Sequence, residues 1–223
     1  MVLIYEDSEI SVKKQRKNEF IIFIKNWDGD YNKFWDNFPV SLMNVIKIGG
    51  KPSETQELTI KADKMTMLSD LIKHKKTLDY IDCLALLTDV GNQIQSLEMF
   101  NMGIPFLKPS DILVVDNKHY FIINTSRILS VSNKKLTINT PYKRTRFFTP
   151  ELQDLTGIPA QISWKSGYYS LASLVLTCLT GEFLLGNKSS AGEILDKLYA
   201  TKLYWALMRC LEPEPRDRYY LII

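Results

Sequence analysis

Residues 77–101 constrain this chain more than any other stretch. Leu78, Ile81, Leu84, Leu87, Val90, Ile94, Leu97 and Phe100 recur at steps of three and four along the whole run. That spacing puts a wide apolar face on a helix and cannot be met by a strand, whose faces alternate every second residue. The period before it is different. Residues 19–27 (EFIIFIKNW) are rich in Ile and Phe and read as a buried strand, and residues 2–5 as another. Residues 42–48 and 57–61 (ELTIK) predict two more, parted by a turn at GGKPS, residues 49–53. Strands first and helices after them predict an α+β plan.

Residues 67–73 read as a short helix. Beyond the long helix, DILVV (111–115) and HYFIIN (119–124) flank Asp116-Asn117-Lys118, a hairpin signal with Asn at the turn. Residues 132–162 are polar and basic, with Pro141, Pro150 and Pro159, and predict a long irregular loop. The helical period returns with Tyr168, Leu171, Ala172, Val175, Leu176 and Leu179, and Gly181 stops it. Residues 194–199 predict a short helix, and residues 201–211 another that Pro213 and Pro215 halt.

The 223 residues are 45% apolar and 24% charged, which suits one domain or two small lobes and excludes a wholly disordered or coiled-coil chain. Cys83, Cys178 and Cys210 are odd in number, far apart and in no CxxC pair, so neither a disulfide framework nor a zinc site is expected. They read as core thiols in a reducing compartment. The most apolar stretch, residues 168–180, contains Ser170, Ser173 and Thr177 and is shorter than the roughly 18–20 residues a bilayer needs. MVLIYEDSEI has acids where a signal peptide needs an apolar run. The expectation is an intracellular, cytoplasmic protein with no membrane contact.

Charge is unevenly placed. The chain is net +3, yet no acid falls between Asp116 and Glu151, where Lys118, Arg127, Lys134, Lys135, Lys143, Arg144 and Arg146 lie. Without those seven the rest would be net acidic. Two readings stand: a contact with phosphate or an acidic partner, through Lys134, Lys135, Lys143, Arg144 and Arg146, or a solvated basic loop. His74 sits among Lys73, Lys75 and Lys76, and His119 beside a turn, neither at metal-ligand spacing, so no metal or other cofactor is expected. No base motif lies near a Ser or Cys that would make it a nucleophile.

Four motifs then point to a family. GIPFLKPSDILVV (103–115) resembles the catalytic loop of eukaryotic-type protein kinases, G-[I/V]-x-H-R-D-L-K-P-x-N-I-L, with Leu107, Lys108, Pro109, Ile112 and Leu113 matching. RFFTPELQ (146–153) resembles the end of the activation segment, Thr149, Pro150 and Glu151 standing for A-P-E. KSGYYSLASLVLTCLTGEF (165–183) resembles kinase helix F through Ser170, Leu171, Leu174, Thr180 and Gly181. CLEPEPRDR (210–218) resembles the run that ends in the structural arginine, here Arg218. The resemblance covers residues 57–220 and implies a reduced N-terminal β lobe at 1–62 and a mainly helical C-terminal lobe at 63–223. It also implies an ion pair between Glu151 and Arg218.

The departures carry the functional expectation. Ile104, Pro105 and Phe106 stand where H-R-D belongs, so the position of the general base holds a side chain that cannot take a proton. Asn124, Thr125 and Ser126 stand for D-F-G, an amide replacing the Mg²⁺ carboxylate. Asp111 occupies the metal-binding Asn position, Gly167 that of the helix F aspartate, and no G-x-G-x-x-G occurs. IFIK (22–25) resembles V-A-I-K, which makes Lys25 and Asp111 the candidates for nucleotide or metal contact. The alternative for Lys25, that it ends a strand facing water, is favoured because only Asp30 and Asp36 offer a helix C acid.

A retained architecture without the chemistry resembles a pseudokinase, and the short first lobe is similar to kinase-like proteins of large DNA viruses. The resemblance implies a non-enzymatic scaffold, decoy or assembly component with a protein partner, in a virion or acting on host signalling. The alternative is a divergent active Ser/Thr kinase using Asp111 and Lys25. A nucleic-acid contact through residues 118–146 is the weaker third reading. Trp27, Phe34, Trp35 and Phe38 offer apolar contact candidates on the first lobe.

Overall fold

The computed structural model describes residues 1–8, 10–25, 45–51, 55–184, 192 and 195–222. Strands β1 (Val2–Glu6), β2 (Ile10–Arg16), β3 (Glu19–Lys25), β4 (Val45–Lys51), β5 (Thr55–Lys61) and β6 (Met65–Met67) come first. Helices α1 (Leu68–Lys75) and α2 (Tyr80–Met99) follow, then the short strand β7 (Met102–Gly103). Next come β8 (Ile112–Val115), β9 (His119–Ile122), β10 (Leu129–Ser132) and β11 (Lys135–Ile138). The chain continues through α3 (Pro150–Gln153), β12 (Ala160–Ser163), α4 (Ser166–Thr180) and α5 (Lys202–Cys210). This is an α+β protein. It divides into two compact units, Met1–Leu71 with Pro109–Ser126, and Ile72–Lys108 with Arg127–Ile223.

The first unit is built on an antiparallel sheet in the order β1-β2-β3-β5-β4. Ile22 of β3 pairs with Val12 on one side and Leu58 on the other. Phe20, Ile22, Ile24, Ile10, Val12, Leu58 and Ile60 are all buried, the alternation expected of strands sharing one core face. Strand β2 was not expected. Only Ile10 and Val12 mark its inner face, and its second half, ending in Gln15 and Arg16, is exposed. Strand β4 runs through Gly49 and Gly50, opposite Glu57 and Gln56, where a turn was predicted. The side chain of Lys25, residues 26–44 with Trp27, Asp30, Phe34, Trp35, Asp36 and Phe38, and part of the helix predicted at 194–199 lie outside the described residues.

The predicted hairpin is present as β8–β9, and β6 pairs with β8 to make a three-stranded sheet in the same unit. Asp116 and Asn117 turn the chain with φ of 54° and 53°, left-handed values that Asp and Asn tolerate better than most residues. The Asp116 carboxylate accepts the backbone N–H groups of Asp63 and Lys64 at 2.7 and 2.9 Å. It clamps the hairpin to the loop before β6.

In the second unit α2 packs on α4, and α4 on α5. Asp79 caps α2 by accepting from the Asp82 N–H at 2.8 Å. The buried seam of α2 is Cys83, Leu87, Val90, Ile94 and Leu97. Ile81 is 69% exposed, and Leu78 lies before the helix with its N–H on the Cys178 carbonyl. Helix α4 is buried almost all round, and Gly181 ends it at φ 75°.

Within residues 132–162, predicted as an irregular loop, β11 and β12 join a sheet in the order β12-β11-β10-β7, while residues 139–149 contain no helix or strand. Asn133 and Lys134, with φ of 50° and 61°, make a two-residue turn between Ser132 and its partner Lys135. Leu136 and Ile138 point inward while Lys135 and Thr137 are exposed. No described helix is long and apolar enough to cross a membrane.

Candidate functional site

The loop between β7 and β8 is fixed by α4. The Leu107 N–H donates to Ser170 Oγ at 2.8 Å, and that hydroxyl faces the Phe147 carbonyl at 2.8 Å and the Leu107 carbonyl at 3.3 Å. Gly167 sits so close that an added β-carbon would lie 3.0 Å from the Ile104 carbonyl oxygen. Backbone proximity and one serine hydroxyl thus do the anchoring. Sequence reasoning placed Ser170 in a motif but missed this role.

Ile104, Pro105 and Phe106 are all buried. The Phe106 ring meets Phe148 edge-on at 4.7 Å and Tyr142 at 5.0 Å. The Arg127 guanidinium lies over it, 4.1 Å from the centroid, and 5.4 Å from that of Tyr142. Burial raises the Tyr142 hydroxyl above its usual pKa, with Arg127 opposing. Leu136, Ile138, Leu152 and Ile162 complete this core. Arg127, one of the seven surplus cations, is therefore a packing element.

Asp111 is also buried, in the first unit. Its Oδ1 accepts from the Asn124 amide at 2.8 Å, and its carbonyl from the Ile123 N–H at 2.9 Å. The Asn124 carbonyl oxygen in turn accepts from the Ser126 hydroxyl at 2.5 Å. Thr125 is buried beside them. Both ends of the Asn124 amide are thus engaged within the chain.

Glu151 and Arg218 form a two-bonded pair, Nη1 to Oε1 at 2.5 Å and Nη2 to Oε2 at 2.9 Å. The arginine side chain is fully buried, and two further donors, Nε and Nη2, reach the Glu212 and Pro213 carbonyls, both at 2.6 Å. Its guanidinium lies 4.8 Å from the Tyr169 ring centroid. This satisfies a buried charge in the geometry where arginine binds carboxylate best.

The five cations proposed as a patch lie on two separate segments. Lys134 and Lys135 lie at the β10–β11 turn, whereas Lys143, Arg144 and Arg146 lie on the segment before α3. Arg144 and Arg146 line a cleft of about 830 Å³ together with Phe148, Gln153, Glu182 and Phe183. Arg144 Nη2 donates to the Gln153 carbonyl at 3.1 Å, and the Arg146 guanidinium lies 4.3 Å from the Phe183 ring centroid.

Among the described residues no three His, Cys, Asp or Glu side chains gather as a metal site. His74 is exposed at the end of α1, and His119 lies tilted against Phe121 at 6.5 Å. The three cysteines are buried free thiols. Burial pushes Cys178 and Cys210 up to about 12 and raises Cys83 as well, so none is a thiolate near neutral pH. Compared with known proteins, the chain matches no family model and no curated protein.

Proposed function

We propose that this chain is a catalytically inactive, kinase-like protein that works by binding a protein partner, as a scaffold or assembly component. The observation that carries the reading is Phe106. The position where the resemblance expects a proton-accepting carboxylate is a buried phenylalanine, enclosed by Phe148, Tyr142 and the Arg127 guanidinium. A group so enclosed neither takes a proton nor meets a substrate hydroxyl. The tie between Asn124 and Asp111 supports the same reading, since the amide at the metal position is already spent on a neighbour. The Glu151–Arg218 pair, expected of the family's architecture, is consistent with a scaffold kept for its shape.

The test is incubation of the full chain with labelled ATP, Mg²⁺ or Mn²⁺ and generic protein substrates. The expected result is no transfer above a denatured control. Transfer that vanishes in Asp111→Ala would favour the divergent active kinase instead. A thermal melt with and without ATP and Mg²⁺ reads binding separately from chemistry, since a ligand of the folded state raises the melting temperature.

A further inference from the structure

We propose that the cleft formed by Arg144, Arg146, Phe148 and Phe183 is a docking site for an acidic segment of a protein partner that carries an apolar anchor residue. The inference rests on the binding role proposed above and names its site and the chemistry of the partner. At about 830 Å³ the cleft is in the range that encloses several side chains. Its lining includes the apolar side chains of Phe148, which is buried, and Phe183, which is half-buried and packed 6.0 Å from the Phe147 ring behind it.

Charge selects the occupant. Among the described residues no carboxylate pairs with Lys143, Arg144 or Arg146. Arg144 spends one donor on the Gln153 carbonyl. The Arg146 guanidinium carbon sits over the Phe183 ring, 4.3 Å from its centroid, which holds the charge at the cleft. The lining contains one acid, the exposed Glu182, so the two arginines outweigh it, and Lys143 adds to them from the adjacent position. Planar donor forks beside aromatic rings suit a carboxylate next to an apolar side chain. A nucleic acid backbone would need cations spaced along a groove, and Lys134 and Lys135 do not line this one.

The wall is preorganised. Ser170 holds the Phe147 carbonyl, Thr149 caps α3, and Glu151 within α3 is locked to Arg218. On that side of the cleft the backbone is already fixed, which lowers the cost of binding there.

Fluorescence anisotropy with the full chain tests the proposal. The probe is a fluorescein-labelled peptide in which one Phe is flanked on both sides by Asp and Glu. Controls are the same peptide with Lys for the acids, with Ser for the Phe, and a labelled thymidine oligonucleotide of equal charge. Saturable binding of the acidic probe should weaken with salt and fall about tenfold or more in Arg144→Glu with Arg146→Glu, since charge-assisted bonds are lost. Phe183→Ser should weaken it too, and the Lys and Ser peptides should bind poorly. Circular dichroism checks folding, and Arg144→Gln with Arg146→Gln replaces the reversal if that unfolds. No saturable binding at low salt, binding indifferent to the arginines, or tighter binding of the oligonucleotide overturns the assignment. The same preparation is assayed for phosphoryl transfer. Absence of both transfer and binding overturns the cleft and leaves the inactive reading in place, whereas transfer overturns the reading on which the cleft rests.

Discussion

The hydroxyl end of the Tyr220 ring lies against Gly91 of α2, so close that a β-carbon at position 91 would overlap it. The tyrosine hydroxyl reaches the Leu87 and Thr88 carbonyls at 3.2 and 3.3 Å, and its ring stacks on Tyr168 at 5.6 Å with the planes 2° apart. A glycine in mid-helix is therefore kept for contact, against its own helix propensity.

That relationship predicts a change of sign. Gly91→Ala in the wild type should destabilise, because Tyr220 must leave α2 and lose its stack. In a Tyr220→Ala background the same change should stabilise by about 0.5–1 kcal/mol, the ordinary advantage of Ala over Gly within a helix. Denaturant unfolding of the four proteins decides it. The same sign in both backgrounds would mean that Tyr220 does not occupy this place.

The Glu151–Arg218 pair predicts strong coupling. Either single alanine strands a buried charge or its donors and should cost about 3–5 kcal/mol, while the double variant should cost less than the sum. A denaturation cycle measures the coupling. Additive losses would show that the two residues act separately.

Glu98 predicts a pH dependence. Burial raises its carboxyl from 4.5 to about 7, with the Tyr168 hydroxyl and Lys165 pulling the other way. A folded-state pKa above the unfolded one means the folded protein holds the proton more tightly. The stability this contributes is complete below pH 4.5 and is lost as pH rises through about 7. Glu98→Gln, which stays neutral, should match the wild type near pH 4.5 and melt higher than it at pH 8. Parallel melting curves for the two proteins across that range would remove the effect.

The legible parts of the fold were those where one physical signal spoke alone. The three-and-four spacing foretold α2 and α4, and Asp116-Asn117 foretold the β8–β9 hairpin. Ile81 misled because an apolar residue at the right spacing faces outward next to the Asp79 cap. The β10–β11 hairpin was hidden by its charge. Leu136 and Ile138 alternate with polar residues as strand residues do, and Asn133-Lys134 is a turn pair, yet the lysines and prolines from residue 132 onward read as a loop. At the site, the pairing of Glu151 with Arg218 followed from the resemblance, whereas nothing in the one-dimensional pattern put Arg127 on Phe106. That stack depends on two segments 21 residues apart in the sequence meeting through the sheet.

Phe106 carries the last prediction. Phe106→Asp puts back the side chain that the kinase resemblance expects at this position, so a chain that had lost one residue alone would regain activity. The surroundings argue otherwise. The carboxylate would enter a core of Phe148, Leu136, Ile138, Leu152 and Ile162, with the Arg127 guanidinium beside it. Losing a buried aromatic costs about 3–5 kcal/mol, and a charge that is poorly solvated there adds to the loss. Phe106→Leu, which keeps the apolar contact, should cost clearly less. The expected outcome is a Phe106→Asp protein that unfolds at much lower denaturant than Phe106→Leu and transfers no phosphate from ATP. A stable, active Phe106→Asp protein would mean that the aromatic cluster is a replaceable filling and that one substitution separates this chain from catalysis.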